Sequence, residues 1–329
     1  MSCIVIFGGT GYIGMSLARY WLQSGRATQV VLADIVAPRE ALDAGMRFVR
    51  CDVREPIAAD LATQPVSWIF NFAAVHREPG HAAHEYFDTN LKGARNVCDF
   101  AERVGCDNIC FTSSISVYGP SIQPSDESAR LCPTSPYGGS KAMAELIHQL
   151  WLERAERRRL IVVRPGVVFG PHDPGNIGRM VQAIRRGYFA FPGSTNIHKS
   201  YAYIYGLLES IDFVIDSGQR WVVYNYVETP TETLKQIADE TKAFVGSRAP
   251  ILSLPASLLI PVAHAVQFLR KGKSSIHPVR VRKAGMPTHI VPRRLMDMGF
   301  EFRYPFAKAL EHWAKQVPSD FGRERYAKA

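Results

Sequence analysis

The sequence predicts an α/β fold: a doubly wound parallel sheet, with a smaller domain towards the C-terminus. Three observations carry this. Short apolar runs alternate with stretches of helical spacing through the first half. The runs are continuously apolar, as strands covered on both faces are, and a glycine-rich turn directly follows the first of them. Strands are expected at residues 3–7, 30–33, 48–51, 68–73, 108–112 and 160–163, with helical spacing over 14–23, 83–104 and 138–156. After Gly170 the pattern changes. Pro171, Pro174 and Gly175 interrupt it, a helix is expected around 178–186, and a further strand at 222–226.

With 329 residues, 47% of them apolar, the chain can bury a core without disulfide or metal staples. Six cysteines include no CxxC pair, so neither a zinc ribbon nor a disulfide scaffold is expected, and no metal. The start, MSCIVIFGG, lacks the basic and cleavable character of an export signal, so a cytoplasmic location is expected. Charge is unevenly placed. Residues 1–269 balance 25 Lys and Arg against 25 Asp and Glu; residues 270–329 carry 14 against 5, the whole of the +9. A solvated surface or a patch for phosphate groups or anionic lipid would each account for it. Nucleic acid is not expected as a partner, since no DNA- or RNA-binding motif accompanies the charge. Residues 250–269 hold no charge at all. That is the length of a membrane span, but Pro250, Pro255, Pro261, His264 and Gln267 suit a core or interfacial element better.

Gly8, Gly9, Thr10, Gly11, Tyr12, Ile13 and Gly14 follow the first strand and open a helix. Gly8 permits a tight turn, Gly11 lets a pyrophosphate approach, and Gly14 lets helix and strand pack closely, with the helix N-terminus facing the anion. An acid about twenty residues on completes the Rossmann-type pattern: Asp34, placed for the two adenosine ribose hydroxyls. A carboxylate there repels a 2′-phosphate, and Ile35 follows it instead of an arginine, so NAD is the expected cofactor. Asp52 and Val53 are expected near the adenine, and residues 71–74, with Ala73 and Ala74, under the pyrophosphate and nicotinamide ribose.

Tyr137 and Lys141 stand four residues apart on one face of a helix beginning near Pro136. A free tyrosine, with a pKa of about 10, is a poor base at neutral pH. An ammonium one turn away, with a positive nicotinamide nearby, favours the phenolate and makes Tyr137 an acid/base. Upstream, Thr112-Ser113-Ser114-Ile115-Ser116-Val117-Tyr118-Gly119 ends another strand with hydroxyls that can bond a reacting alcohol or carbonyl.

These motifs, with Asn90, Arg164-Pro165-Gly166, Phe169-Gly170-Pro171 and Leu295…Met298-Gly299-Phe300, resemble the extended short-chain dehydrogenase/reductases, specifically the NAD-dependent sugar epimerase/dehydratase family. The resemblance implies that Tyr137 is the base, that Lys141 binds the nicotinamide ribose and that Ser114 contacts the sugar hydroxyl, with Asn90 among the cofactor residues. It implies a dinucleotide-binding domain over residues 1–170 and a substrate domain over 171–329, with segments near 200–230 returning to the sheet. Homodimerisation through the two long helices is the family habit.

Departures narrow the chemistry. Sugar 4,6-dehydratases of the family carry Thr-Asp-Glu where this chain has Ser114-Ile115-Ser116, so the acid/base pair that eliminates water is missing. UDP-sugar epimerases usually show Asn where Val167 stands and Arg-Asp where Lys199-Ser200 stands. Residues 73–77, 175–176, 199–203, 224–226 and 279–282 are similar instead to a bacterial branch. That branch converts N-acetylglucosamine to N-acetylgalactosamine on diphosphoundecaprenol for surface-polysaccharide synthesis. On this resemblance His76, Ser114, Asn176, Lys199 and Arg280 are substrate-contact candidates, and the diphosphate-linked sugar is the partner. The uncharged 250–269 segment and the basic residues after it would meet the membrane surface peripherally. The implied reaction is 4-epimerisation through a transient 4-keto sugar. A nucleotide-sugar dehydrogenase or 4-ketoreductase, and a non-catalytic NAD-binding regulator, are the alternatives.

Overall fold

The computed structural model describes residues 2–173, 175–269 and 277–322. In chain order the strands begin with β1 (Cys3–Phe7), β2 (Gln29–Asp34), β3 (Met46–Arg50), β4 (Val66–Asn71), β5 (Asn108–Thr112) and β6 (Ser121–Ser125). They continue as β7 (Arg159–Pro165), β8 (Val167–Phe169), β9 (Ala190–Pro192), β10 (Tyr201–Tyr203), β11 (Trp221–Tyr226), β12 (Leu252–Leu254) and β13 (Thr288–Ile290). The first helices are α1 (Tyr12–Gln23), α2 (Ala83–Arg103), α3 (Pro136–Glu153), α4 (Asn176–Arg185) and α5 (Ile204–Asp216). After them come α6 (Leu234–Val245), α7 (Ala256–Leu269), α8 (Pro278–Ala284), α9 (Arg293–Asp297) and α10 (Phe306–Gln316).

Seven strands form one parallel sheet in the order β11-β7-β5-β4-β1-β2-β3, the doubly wound arrangement expected. The order reverses between β1 and β4, and a ligand crevice opens at the carboxyl ends of strands at such a point. The apolar strands are covered twice. Along β1, Ile4 and Ile6 pack with Leu17 and Trp21 of α1 and Leu207 of α5. Cys3, Val5 and Phe7 pack on the other face with Phe100 of α2 and Trp151 of α3. Phe7 meets Phe100 edge-on at 5.5 Å and Trp21 meets Phe70 edge-on at 4.9 Å. A third cluster joins Phe169 and Tyr203 to α4, α6 and α10 through Ile177, Leu234 and Trp313.

The uncharged 250–269 stretch becomes β12 and the fourteen-residue α7. Among the described residues no helix is long and apolar enough to cross a membrane. The basic cluster Arg270, Lys271 and Lys273 lies outside the described residues, and Arg280 falls on α8 with its side chain outside them.

Glu228 ties β11 to the strand that leads into α5. Its Oε1 accepts from the Tyr203 amide (2.8 Å) and the Tyr226 hydroxyl (2.9 Å). Burial raises its pKa to about 8, so it is mostly a neutral acid at pH 7. The unfolded chain gives up this proton above about pH 4.5, the folded one only near 8. Its stabilising contribution is therefore complete below about pH 4.5 and is lost as the pH rises to 8. Glu228→Gln should leave the melting temperature nearly unchanged at pH 4.5 and raise stability at pH 8 by about 4 kcal/mol, read by thermal unfolding at both pH values.

Candidate active site

The glycine turn is built against the end of β4. Gly8 has φ +75°, and a Cβ on it would stand 2.7 Å from the Ala73 amide nitrogen. A Cβ on Gly14 would stand 2.5 Å from the Gly8 carbonyl oxygen, so the first turn of α1 lies directly on the loop. Gly11 caps α1 without a side-chain hydrogen bond, and no acid occupies the first turn. The helix thus leaves its amide groups for an external anion. Asp34, at the end of β2, accepts from the Thr10 and Val36 amides at 3.2 Å each, which fixes its carboxylate above the loop. Thr10 closes the same corner by donating its hydroxyl to the Val36 carbonyl at 3.0 Å. A cradle that side chains would fill, an uncapped helix start and a fixed carboxylate are the parts a dinucleotide needs, and here they fit NAD.

Other expected cofactor residues have local duties. Asp52 is gripped by Arg54 through Nε (2.9 Å), Nη2 (2.5 Å) and its amide (3.0 Å), which holds its carboxyl below the usual value. Val53 is buried, and its carbonyl accepts from Asn96 at 2.8 Å. Tyr12 turns its buried hydroxyl towards Gly170, while Ile13 packs on the core under α1. Asn90 spends its amide inside the protein, accepting from the Val75 amide (2.9 Å) and donating to the Val75 carbonyl (3.3 Å) and Ser140 Oγ (2.8 Å). It therefore holds the Ala73–Ala74 strand end against the helix that carries Tyr137.

That helix, α3, starts at Ser135, whose hydroxyl accepts from the Gly138 amide at 3.2 Å, with Pro136 in the first turn. Ser114 caps a short 3-10 turn at the end of β5, accepting from the Ser116 amide and donating to the Ser116 hydroxyl, each at 3.1 Å, and it is near enough to Tyr137 to favour the phenolate. Lys141 is buried. Its Nζ donates to the Thr112 carbonyl at 2.6 Å and lies 4.5 Å from the centre of the Phe111 ring. His148, two turns on, stacks on Phe111 at 4.2 Å, and burial keeps it neutral with a pKa of about 4.

The expectation that Lys141 depresses Tyr137 is not met by the chain's own groups. Burial pushes Tyr137 up to about 12, the nearby Ser114 hydroxyl works against this, and the Glu78 charge adds to it. Burial draws Lys141 down to about 7, against the pull of Glu145. The ammonium is directed at the Thr112 carbonyl and the Phe111 face, and the phenol feels its own desolvation first.

The substrate candidates divide. His76 lies within electrostatic reach of Lys141, its Nδ1 3.5 Å from the Ala74 carbonyl. Asn176 opens α4 and accepts from Arg179 at 2.6 Å. Lys199 is committed elsewhere: its ammonium donates to the carbonyls of Lys283, at 3.0 Å, and Met286, closing the C-terminal end of α8. Lys283 of α8 pairs with Glu78, whose charge acts on Tyr137.

Glu145 and Arg164 were not singled out for a role by the sequence. Arg164 grips Glu145 through Nε (2.9 Å) and Nη2 (2.6 Å), both side chains being less than a tenth exposed. Ser113 donates to the same carboxylate. Arg164 Nη1 donates to the Tyr118 hydroxyl (2.7 Å), which donates to Asn225 (2.8 Å). The available signal was spacing: Tyr137, Lys141 and Glu145 follow one another at intervals of four.

With this geometry in hand, residues 4–225 match the NAD dependent epimerase/dehydratase family. The chain belongs to that family. NAD is accordingly its cofactor, as the cradle requires. The chain is 31% identical, over 79% of its length and 80% of the relative's, to the N-acetyl-alpha-D-glucosaminyl-diphospho-ditrans,octacis-undecaprenol 4-epimerase of Escherichia coli O157:H7. Its fold is that of the UDP-N-acetylglucosamine 4-epimerase from Methanobrevibacter ruminantium M1 (TM-score 0.77, 18% identity, 97% of this chain and 98% of that one). It is also that of the Thermus thermophilus UDP-glucose 4-epimerase in complex with NAD (TM-score 0.74, 20% identity, 99% of each chain).

The acid/base role expected of Tyr137 from the sequence makes a direct prediction. Tyr137→Phe should lower turnover by at least ~100-fold, measured as steady-state rate, while NAD stays bound to the purified protein. Glu145→Ala leaves the Arg164 guanidinium buried without its carboxylate and should cost about 3–5 kcal/mol in urea unfolding.

Proposed function

We propose that the chain is a sugar 4-epimerase that acts on an N-acetylhexosamine held through a diphosphate on a polyprenyl carrier, at the membrane surface, in surface-polysaccharide synthesis. The observation that carries the reading is the Lys141–Thr112 hydrogen bond (2.6 Å), which sets the helix of Tyr137 against the end of β5, where Ser114, Ile115 and Ser116 follow. The two hydroxyls for alcohol oxidation, of Ser114 and Tyr137, lie on these adjoining elements, while apolar Ile115, itself buried, and Ser116 replace the acids by which the family's dehydratases expel water. The bacterial relative named above supports the carrier, and Val167 and Lys199, unlike the usual UDP-sugar residues, agree with it.

NAD, held by the Gly8–Gly14 turn and Asp34, would supply reversible hydride transfer at C4, with no net oxidation. Tyr137 removes the proton of the C4 hydroxyl and gives it back when the carbonyl is reduced. Ser114, fixed by the Ser116 amide, keeps that hydroxyl aligned with Tyr137. Lys141, held by the Thr112 carbonyl, takes the nicotinamide ribose. His76 and Asn176 are assigned to the sugar. The diphosphate is the handle about which the sugar turns, and α8, with exposed Arg282 and with Lys283 beside Glu78, supplies the cationic edge. Met143, Leu146 and Leu150 form an exposed apolar stripe on α3, which supports a homodimer packed through α2 and α3.

The test uses purified protein without added cofactor, given N-acetylglucosamine on UDP and on a polyprenyl diphosphate in parallel. The epimers are released by mild acid and resolved by chromatography. Conversion of the lipid-linked sugar is expected, with no steady absorbance change at 340 nm. Full-rate turnover of the UDP-sugar alone would overturn the carrier, and stoichiometric consumption of NAD(H) would make the chain a reductase.

A further inference from the structure

The outer face of α7 is exposed and apolar. Leu258 (61% exposed), Val262 (55%) and Leu269 (78%) recur at helical spacing, with Phe268 (85%) at the edge of the stripe. Ala263, on the opposite side, is fully buried. No charged residue occurs in this helix. A contiguous apolar surface of this kind marks an interaction site rather than ordinary solvent-facing surface.

We infer that α7 docks on an anionic lipid bilayer, lying on its surface with Leu258, Val262, Phe268 and Leu269 among the acyl chains. The purpose of the docking rests on the carrier reading above; the docking face stands on its own residues. Two arguments choose the occupant. The sequence directly after α7 reads Arg270, Lys271 and Lys273, and the entire +9 of the chain falls between residues 270 and 329. An apolar face followed by this charge complements acidic headgroups, whereas a second copy of the same face would bring like charges together. Length is the other argument. Fourteen residues of helix reach about 21 Å, short of the roughly 30 Å hydrocarbon layer, so the helix lies on the bilayer instead of crossing it.

The docking face is also close to the chemistry. α7 packs on α8, Lys283 of α8 pairs with Glu78, and the Glu78 charge reaches Tyr137. A bilayer against α7 therefore lies one short helix away from the edge of the catalytic cleft.

The experiment is flotation of the full chain with vesicles of phosphatidylcholine alone and of phosphatidylcholine mixed with phosphatidylglycerol. The protein should float with the acidic vesicles, far less with the neutral ones, and be released as salt rises. The double variant Phe268→Ser, Leu269→Ser, changed only at exposed positions, should lose about tenfold or more in binding. Its turnover of polyprenyl-linked sugar in detergent should match the unaltered protein. Failure of the unaltered protein to float with acidic vesicles, or flotation of the double variant at the same level, would overturn the inference. Flotation that needs Phe268 and Leu269 in a protein inactive on the lipid-linked sugar would uphold the docking face and defeat the carrier reading.

Discussion

The site depends on the buried pair between Glu145 and Arg164. A charged pair under a parallel sheet is costly to desolvate, and its geometry here is what offsets that cost: two Arg164 nitrogens on the carboxylate, a third on Tyr118, and Ser113 on the remaining lone pairs. Arg164 belongs to β7, Ser113 follows β5, Asn225 lies in β11 and Glu145 lies in α3. One network therefore clamps three strand ends to the helix that presents Tyr137 and Lys141. The Glu145 charge also offsets part of the lowering that burial imposes on Lys141.

Burial is the second constraint, and it leaves the proposed catalytic groups unpoised by the polypeptide alone. A fully desolvated ammonium and a phenol both favour their neutral forms. Tyr137 is accordingly raised and Lys141 lowered, each away from the charged state the chemistry uses. In the proposed mechanism the positive nicotinamide is the further charge that favours a phenolate here. Chemistry is thereby tied to a loaded cradle, and the close approach of Gly8 to Ala73 sets where that cradle lies relative to Ser114 and Tyr137.

Most of the fold was legible because it is local. Continuous apolar runs between helices specify buried parallel strands, and the glycine positions follow from a turn that a Cβ would block. The placement of Tyr137, Lys141 and Ser114 was legible for the same reason, as spacing on a helix and a hydroxyl at a strand end. What was not legible involves partners far apart in sequence. Lys199 looked like a phosphate ligand until the fold placed it at the end of α8, 84 residues away. Asn90 looked like a cofactor contact, but its amide bonds Val75 and Ser140. Glu145 carries no motif of its own, because its meaning comes from Arg164 on a different strand. The outward face of α7 was equally hidden, since an uncharged stretch reads alike whether it is buried or exposed.

The central claim is that C4 is oxidised and reduced again by one hydride that never leaves the site. Substrate bearing deuterium at C4 of the N-acetylglucosamine tests this directly, with the epimerised product analysed by NMR. The account predicts that N-acetylgalactosamine retains the deuterium at C4 and gains none from heavy water. Loss of the label to solvent, or solvent deuterium at C4 of the product, would contradict it.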